Sequence, residues 1–443
     1  MKVGMRVFST TVITTSSRHP RSAADGMARS GRATRRLLQA VCLCLGMVLS
    51  HAVAGEAADA VPLFTNLGTL HHPITTTSER AQQYFDQGLR LVYAFNHEEA
   101  IRAFEEAARL DPTAAMAYWG IALASGPNIN APMAKGDERR AWEALLKAKA
   151  QSSHVSPAEQ RFIEALGKRY SAKGGSRTAL DKAYANAMRT VWQQSSNDAD
   201  AGTLFAEALM DLRPWDFWTA DGRPQPGTEE IVSTLETVLS RASDHPGACH
   251  YYIHAVEASS KPERALDCAD RLPALMPGAG HLVHMPAHIY IRLGKYHEAA
   301  ERNAHAVHVD KDYMAGRTLT GDYPDGYYAH NLHFLWASLM MEGRHVEALK
   351  AARELTGTIS EAEARKNKWK EFYLPTPLFS LILSILAGLV TTPALIEGWF
   401  GLPKLGVTAA AVAFIIGFLV VLVFLFFWLR ARKHPLAPDR VFL

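Results

Sequence analysis

A 34-residue period constrains the fold of this chain more than any other sequence feature. In residues 81–114, six residues mark positions 4, 8, 20, 24, 27 and 32 of one unit: Tyr84, Gly88, Ala100, Phe104, Ala107 and Pro112. Small residues in such a pattern lie where two antiparallel helices touch, and the proline closes the second helix. One hairpin cannot bury its apolar face alone, so the pattern predicts a stack of hairpins.

The period recurs along the chain. Further units are predicted from Ala115 onward and at residues 246–279, 280–313 and 329–362. We therefore divide the repeat region into units 1 and 2 at 81–134, degenerate helical repeats at 135–245, and histidine-bearing units at 246–362. Within the degenerate region, Ser156 begins a helix, because a proline follows it and Glu159 completes a capping box.

The strings "AQQYFDQGLRLVYAFNHEEAIRAFEEAARLDP", "HYYIHAVEAS" and "GHLVHMPAHIYIRLGKYHEAAERN" resemble the tetratricopeptide-repeat family, and within it a subgroup of bacterial exported proteins. The resemblance extends over roughly residues 65–355. It implies an all-α, right-handed α-solenoid that serves as an interaction scaffold, and it supplies no catalytic residue. The exported part also lacks the alternating apolar pattern typical of β-strands, which agrees with an all-α fold.

Seven histidines share three positions of the later repeats, and we call them the histidine stripe. They are His250, His284 and His333 at position 5, His254 and His288 at position 9, and His281 and His330 at position 2. Spacings of three, four and seven residues place side chains on one face of a helix. In tetratricopeptide repeats these positions line the concave groove, as the resemblance implies, so we expect the stripe to face that groove.

The stripe allows a metal-binding hypothesis. Axes of neighbouring helices lie about 8–10 Å apart, so imidazoles of adjacent repeats can converge. Neutral imidazole is a common ligand of transition metals, and His-x-x-x-His on a helix can chelate. The candidate ligands of a zinc or copper ion are His250, His254, His281, His284 and His288.

Binding of a protein or peptide without metal is the interpretation that we prefer from sequence. The candidate groove residues are His330, His333 and the apolar residues at positions 5 and 9 of the first two units, Phe85, Leu89, Trp119 and Leu123. Glu257 follows His254 by one turn, and we expect a solvated surface residue, although roles as ligand or hydrogen-bond acceptor stay open. The chain contains no His-Glu-x-x-His, Gly-x-Ser-x-Gly or Walker motif, so a metal-dependent enzyme of unrecognised mechanism is the least favoured alternative.

Apolar segments near both ends of the chain predict export across a membrane and attachment to it. Residues 1–58 are predicted to be a secretory signal with a long n-region, followed by a lead-in segment at 59–80. After the repeats we predict a basic linker at 363–373, a possible transmembrane helix at 374–396, a transmembrane helix at 405–429 and a basic tail at 430–443. The chain is thus expected to be exported and anchored on the periplasmic side of a bacterial inner membrane. That compartment permits a disulfide between Cys249 and Cys268, but the sequence does not decide whether they pair.

Charge narrows the class of partner. Residues 55–396 carry 34 Lys and Arg against 41 Asp and Glu, so the repeat region is mildly acidic and has no basic stripe. This distribution argues against nucleic acid as a partner. The expected partners are a protein or peptide, and the membrane through the C-terminal tail.

Overall fold

The computed structural model describes residues 61–134, 136–172, 174–317, 319, 323–366, 368–383, 391–398, 405 and 408–431. The predicted signal at 1–58 lies outside the described residues, as does most of the predicted basic tail. No β-strand occurs in the described ranges, which confirms the all-α prediction.

Helices follow one another along most of the described chain. The α-helices, labelled in chain order, are α1 (Glu79–Tyr93), α2 (His97–Leu110), α3 (Ala115–Ala124), α4 (Asp137–Gln151), α5 (Pro157–Leu166), α6 (Arg177–Gln194), α7 (Ala199–Met210), α8 (Thr228–Arg241), α9 (Pro246–Val256), α10 (Leu266–Leu275), α11 (Gly280–His284), α12 (Pro286–Arg292), α13 (Tyr296–Met314), α14 (Tyr328–Met341), α15 (His345–Gly357), α16 (Glu361–Lys366), α17 (Thr376–Leu383), α18 (Thr392–Glu397) and α19 (Ala409–Ala431). Short 3₁₀ segments lie at Ser152–His154, Pro262–Ala265 and Lys368–Tyr373, and a π-helical turn lies at Tyr323–Tyr327.

The first hairpin, α1 with α2, shows why the repeat pattern folds as it does. Ser78 caps α1, because its side chain accepts a hydrogen bond from the backbone N–H of Ala81. At Gly88 and Gly120, an added Cβ would lie 2.5 Å from the ring of Phe104. These glycines therefore let the fully buried Phe104 pack between α1 and α3.

Neighbouring helices pack side by side through the rest of the stack. Helix α3 pairs with α4, α7 with α8, α9 with α10, and α14 with α15, while α11 and α12 together pack on α13. The second helix of the second hairpin begins at Asp137, and the degenerate region contains α4 to α8. Helix α5 begins with the expected capping box: Ser156 Oγ accepts from the Glu159 N–H, and Glu159 Oε2 accepts from the Ser156 N–H.

The stack curls until its first hairpin contacts later ones. The Tyr93 hydroxyl at the end of α1 donates to Asp200 on α7 at 2.6 Å, and the Tyr93 carbonyl lies 2.6 Å from Nδ1 of His250 on α9. The lead-in segment also contacts a later repeat, since the carbonyl of Asn66 accepts a hydrogen bond from the N–H of Gly278 at 2.7 Å. The inner face of the repeats is consequently enclosed.

Two tertiary links fasten the stack internally. Cys249 on α9 and Cys268 on α10 form a disulfide, with their Cα atoms 5.0 Å apart. Arg169, which follows α5, is 1% exposed and forms an ion pair with Asp211 at the end of α7. Burial alone would lower the pKa of Arg169, but the charges of Asp211 and Glu207 raise it above its ordinary value, so the guanidinium stays charged.

The C-terminal helices overlap the predicted membrane segments. Helix α17 falls within 374–396 and α18 overlaps its end, while α19, several of whose side chains lie outside the described set, overlaps 405–429. Among the residues that are fully described, no helix combines the length and apolar character needed to cross a membrane. Attachment to a membrane stays a prediction.

Candidate metal centre

Six histidines of the stripe converge inside the stack, and we call them the histidine cluster: His250, His254, His281, His284, His288 and His330. They belong to α9, α11, α12 and α14, which are the first helices of three consecutive repeats. Position 5 of one repeat meets position 2 of the next. Thus His250 Nε2 lies 3.1 Å from His281 Nε2, and the rings of His284 and His330 are 4.7 Å apart between centroids.

Oxygen acceptors hold Nδ1 of three cluster imidazoles. Nδ1 of His250 lies 2.6 Å from the Tyr93 carbonyl oxygen. The carboxylate of Glu257 spans two others, with Oε1 2.8 Å from His254 Nδ1 and Oε2 2.6 Å from His288 Nδ1. A carbonyl or an ionised carboxylate oxygen only accepts, so each Nδ1 carries the proton, and Nε2 of a neutral ring then presents a lone pair.

A fourth imidazole is fixed by an amide. His284 Nδ1 lies 2.6 Å from Asn303 Oδ1, and the Asn303 amide nitrogen donates to the Ala299 carbonyl at 2.7 Å. The carbonyl acceptor assigns the orientation of the amide, so Asn303 presents oxygen to His284. Nε2 of His284 therefore also presents a lone pair, and it lies 2.9 Å from Nε2 of His288. Two lone pairs at this separation repel each other unless a proton or a metal ion is shared between them.

Other cluster nitrogens are buried without a partner. His254 Nε2 and His281 Nδ1 form no hydrogen bond within the described part of the chain, and an unsatisfied buried polar atom costs about 1–3 kcal/mol. Two sets of three residues have ligand atoms within 4.8 Å of one another: His250, His254 and His281, and His284, His288 and His330. A cation bound here would satisfy these buried nitrogens.

Burial favours the neutral imidazoles that a metal requires. Desolvation, followed by repulsion from neighbouring imidazoles, lowers the pKa of His250, His281, His284 and His330 well below the ordinary value. Burial would raise the pKa of Glu257, but the imidazoles that it contacts hold this pKa far below its usual range. Neutral rings at these four positions thus lie near one ionised carboxylate.

Aromatic rings with unusual backbone conformations border the cluster. Phe95 lies 4.5 Å from the His250 ring, and Trp215 lies 5.0 Å from the His254 ring, between centroids. Phe95 has φ 57° and Trp215 has φ 63°, and these are the non-glycine residues with positive φ in the described chain. Such strained positions concentrate at functional sites, and here both contact the cluster.

His333, the seventh histidine of the stripe, lies apart from the cluster. Its ring packs 5.4 Å from Trp336 and 5.1 Å from Tyr373. The register of the repeats explains why His333 lies apart. A histidine at position 5 meets another histidine only at position 2 of the following repeat. After α15 the chain places Tyr373 there instead of another repeat.

The apolar residues predicted to line an open groove are core residues, and this corrects the expectation for Phe85, Leu89, Trp119 and Leu123. None of them is more than 5% exposed. Phe85 packs on Phe104 at 5.4 Å, and the Trp119 indole donates to the backbone at 3.2 Å. The lead-in segment and the curl of the stack cover positions that an open solenoid would leave accessible.

Two residues that orient the cluster were not recognised as such from sequence. Glu257 was expected at the solvated surface, but its oxygens accept from two imidazoles of neighbouring repeats. Asn303 occupies position 24 of its repeat, where the first unit has the buried Phe104. An amide at a core position was the available signal for Asn303, whereas no sequence signal distinguished Glu257 from a surface glutamate.

A second group of polar residues ties the lead-in segment to the stack. Asp200 accepts from His72 Nδ1 at 2.7 Å, from His245 Nε2 at 3.1 Å and from the Tyr93 hydroxyl at 2.6 Å. His72, Asp198 and Asp200 have ligand atoms within 4.8 Å of one another beside a cleft of about 760 Å³. Because protein donors already engage both oxygens of Asp200, we assign this group a structural role.

Comparisons with known proteins show no family. No family model matches the chain. The probable multidrug resistance protein YoeA of Bacillus subtilis is 42% identical over 65 residues, which are 15% of this chain, and the chain spans only 14% of the length of that protein.

Solved structures of the human IFIT1 dimer, with PPP-AAAA and with m7Gppp-AAAA, are 11% and 12% identical in sequence. The alignments cover 77% and 78% of this chain and 73% and 78% of that chain, with TM-scores of 0.33 and 0.32. Likeness at this level carries no argument about function.

Proposed function

We propose that the histidine cluster binds transition metal ions, with zinc and copper as the candidate metals. The contact between His284 Nε2 and His288 Nε2, 2.9 Å apart, carries this proposal. Their Nδ1 partners, Asn303 and Glu257, direct both lone pairs into the same space. A metal ion bound by both nitrogens turns this repulsion into coordination.

The donor set fits these metals. Imidazole nitrogen suits zinc and copper, whereas magnesium and calcium prefer oxygen ligands. Metal-binding histidines usually donate their other ring N–H to a carboxylate or carbonyl, which fixes the tautomer and raises ligand basicity. Tyr93, Glu257 and Asn303 supply such acceptors to four cluster imidazoles. The hydrogen-bond acceptors around the imidazoles thus suit a bound metal ion, as the imidazole nitrogens do.

Elemental analysis tests the proposal on the full chain purified without a histidine tag. We expect bound zinc or copper in the parent protein, or after incubation with either ion, and less bound metal in the His284→Ala/His288→Ala variant. His333→Ala is the matched control, because it removes a half-buried stripe histidine outside the cluster and should keep the metal. Absence of metal from the folded parent after incubation with both ions would overturn the proposal.

Recruitment of a protein or peptide partner is the second candidate function. The helical hairpin stack supports it, although the contact surface has to differ from the buried residues at positions 5 and 9 of the first units. Crosslinking to a purified partner should then be insensitive to chelators. A partner lost together with the metal would instead assign recruitment to the metal-bound form.

We also propose that the chain is exported and held at the periplasmic side of a bacterial inner membrane by its C-terminal segment. The apolar segments at 37–53 and 405–429 support this location, and so does the disulfide between Cys249 and Cys268. Cell fractionation with alkaline washing and protease protection tests it. Recovery of the full-length chain in the cytosol would reject the proposal.

A further inference from the structure

The six imidazoles of the cluster divide into two sets without sharing a residue. The first set is His250, His254 and His281, and the second set is His284, His288 and His330. The sets adjoin each other, since the rings of His254 and His288 are 5.1 Å apart and those of His281 and His284 are 5.7 Å apart. Two adjacent sets of three ligands fit two ions better than one, because a single tetrahedral ion takes four ligands.

Glu257 joins the two sets. It accepts from Nδ1 of His254 in the first set and from Nδ1 of His288 in the second, at 2.8 and 2.6 Å. A third grouping, His254 with Glu257 and His288, also has ligand atoms within 4.8 Å. In that grouping the carboxylate meets ring N–H groups, so it orients the imidazoles and leaves their Nε2 atoms to the metal.

Each set provides three protein ligands to an ion. Structural zinc sites are closed by four protein ligands, whereas sites that bind an exogenous molecule keep one position open. Cys249 and Cys268 offer no thiolate, because they are joined in the disulfide. With Glu257 occupied by two imidazoles, each ion has an open coordination position.

A cleft approaches the first set from one side. Phe95 and Tyr327 lie between the cluster and a cleft of about 550 Å³, whose lining also includes Tyr313 and Tyr323. The Tyr327 ring is 4.9 Å from the His281 ring, and the Phe95 ring is 5.5 Å from it. Tyr327 ends the π-helical turn and Phe95 has positive φ, so the two residues that separate the cleft from the first set lie on irregular backbone.

We infer that the cluster is a two-ion centre in which the ion on His250, His254 and His281 binds a small exogenous lone-pair donor, of the size of azide, that enters from this cleft. Side chains of both charge signs line the cleft, including Arg102 and Glu99, so the charge of its lining does not exclude a small monoanion. This inference rests on the proposed metal binding.

Cobalt(II) and azide test the inference on the full chain, because visible absorption of cobalt(II) reports its coordination number and ligands. We expect two equivalents of cobalt per chain by equilibrium dialysis and a spectral change with azide. His284→Ala/His330→Ala should keep one equivalent and the azide response. His250→Ala/His281→Ala should keep one equivalent and lose the response, while His333→Ala should match the parent.

The outcomes separate this inference from the proposed function. One equivalent in the parent rejects the two-ion centre but keeps metal binding, and none in the folded parent rejects both. Loss of all cobalt from either double variant also rejects two separate sets. An unchanged spectrum of the two-cobalt parent with azide rejects the open position. If a double variant loses its helical circular dichroism, the single variants His330→Ala and His281→Ala carry the same comparison.

Discussion

Glu257→Gln is the most informative single substitution, because one carboxylate contacts both sets of the cluster. Its two oxygens accept from His254 Nδ1 at 2.8 Å and from His288 Nδ1 at 2.6 Å. A glutamine of the same shape has one oxygen and one NH₂ group, so one imidazole would face a donor. That ring must then change its tautomer or lose its hydrogen bond, and its Nε2 becomes a poorer ligand.

The expected loss of affinity follows from the role of such acceptors. Replacing a hydrogen-bond partner of a metal-bound histidine typically lowers metal affinity about 10- to 100-fold, or roughly 1.4–2.7 kcal/mol. In Glu257→Gln one histidine loses its acceptor and the other keeps only a neutral one, so we expect weaker binding of both ions and an unchanged stoichiometry. Competition of the protein with a chromogenic chelator for zinc measures both quantities in one titration.

Glu236→Gln is the matched control. Glu236 also accepts a hydrogen bond at 2.6 Å, from the hydroxyl of Tyr252, but it lies outside the cluster. The control should bind zinc as the parent does. Parent-like affinity in Glu257→Gln would refute the orienting role of this carboxylate, and loss of one whole equivalent would make Glu257 a metal ligand.

Three further predictions concern stability, measured as the free energy of unfolding in urea. Cys249→Ala/Cys268→Ala should lose about 3 kcal/mol by the chain-entropy estimate for a separation of 19 residues, and the parent should lose as much in reductant. Arg169→Met should cost about 3–5 kcal/mol, because it leaves Asp211 buried without its counter-charge; a neutral result would contradict that ion pair. Burial raises the pKa of Asp310 to about 6, above its unfolded value near 4, so its contribution is complete below about pH 4 and is lost as pH rises through 6, by up to about 3 kcal/mol. Asp310→Asn should remove this slope, and an unchanged slope would exclude Asp310 as its source.

The helices of the repeats were predictable because their signals are local. The small residues at Gly88 and Ala100, with Phe104 beside them, define a hairpin through contacts within 34 residues of sequence. The histidine positions were predictable for the same reason, since residues three, four and seven apart share one helical face. The cluster then follows from stacking three such helices in one register.

The second hairpin and the end of the stripe show where local reasoning stops. The second helix of that hairpin begins only at Asp137, after a loop that interrupts the repeat spacing. His333 has the same repeat position as His250 and His284, but in the described part of the chain Tyr373 meets it instead of a further repeat. A histidine at a given repeat position joins the cluster only when the adjacent repeat supplies a histidine beside it.

The sequence by itself determined the hairpins, the all-α fold and the shared face of the histidines, because these depend on neighbours within one or two helical turns. The tertiary structure alone decided which imidazoles meet, which nitrogen carries the proton in four of them, and that the inner face is enclosed. Tyr93 and His250, for example, are 157 residues apart and meet only because the stack curls on itself. The tautomers depend on such distant acceptors, and the capacity of the cluster to bind a metal depends on the tautomers.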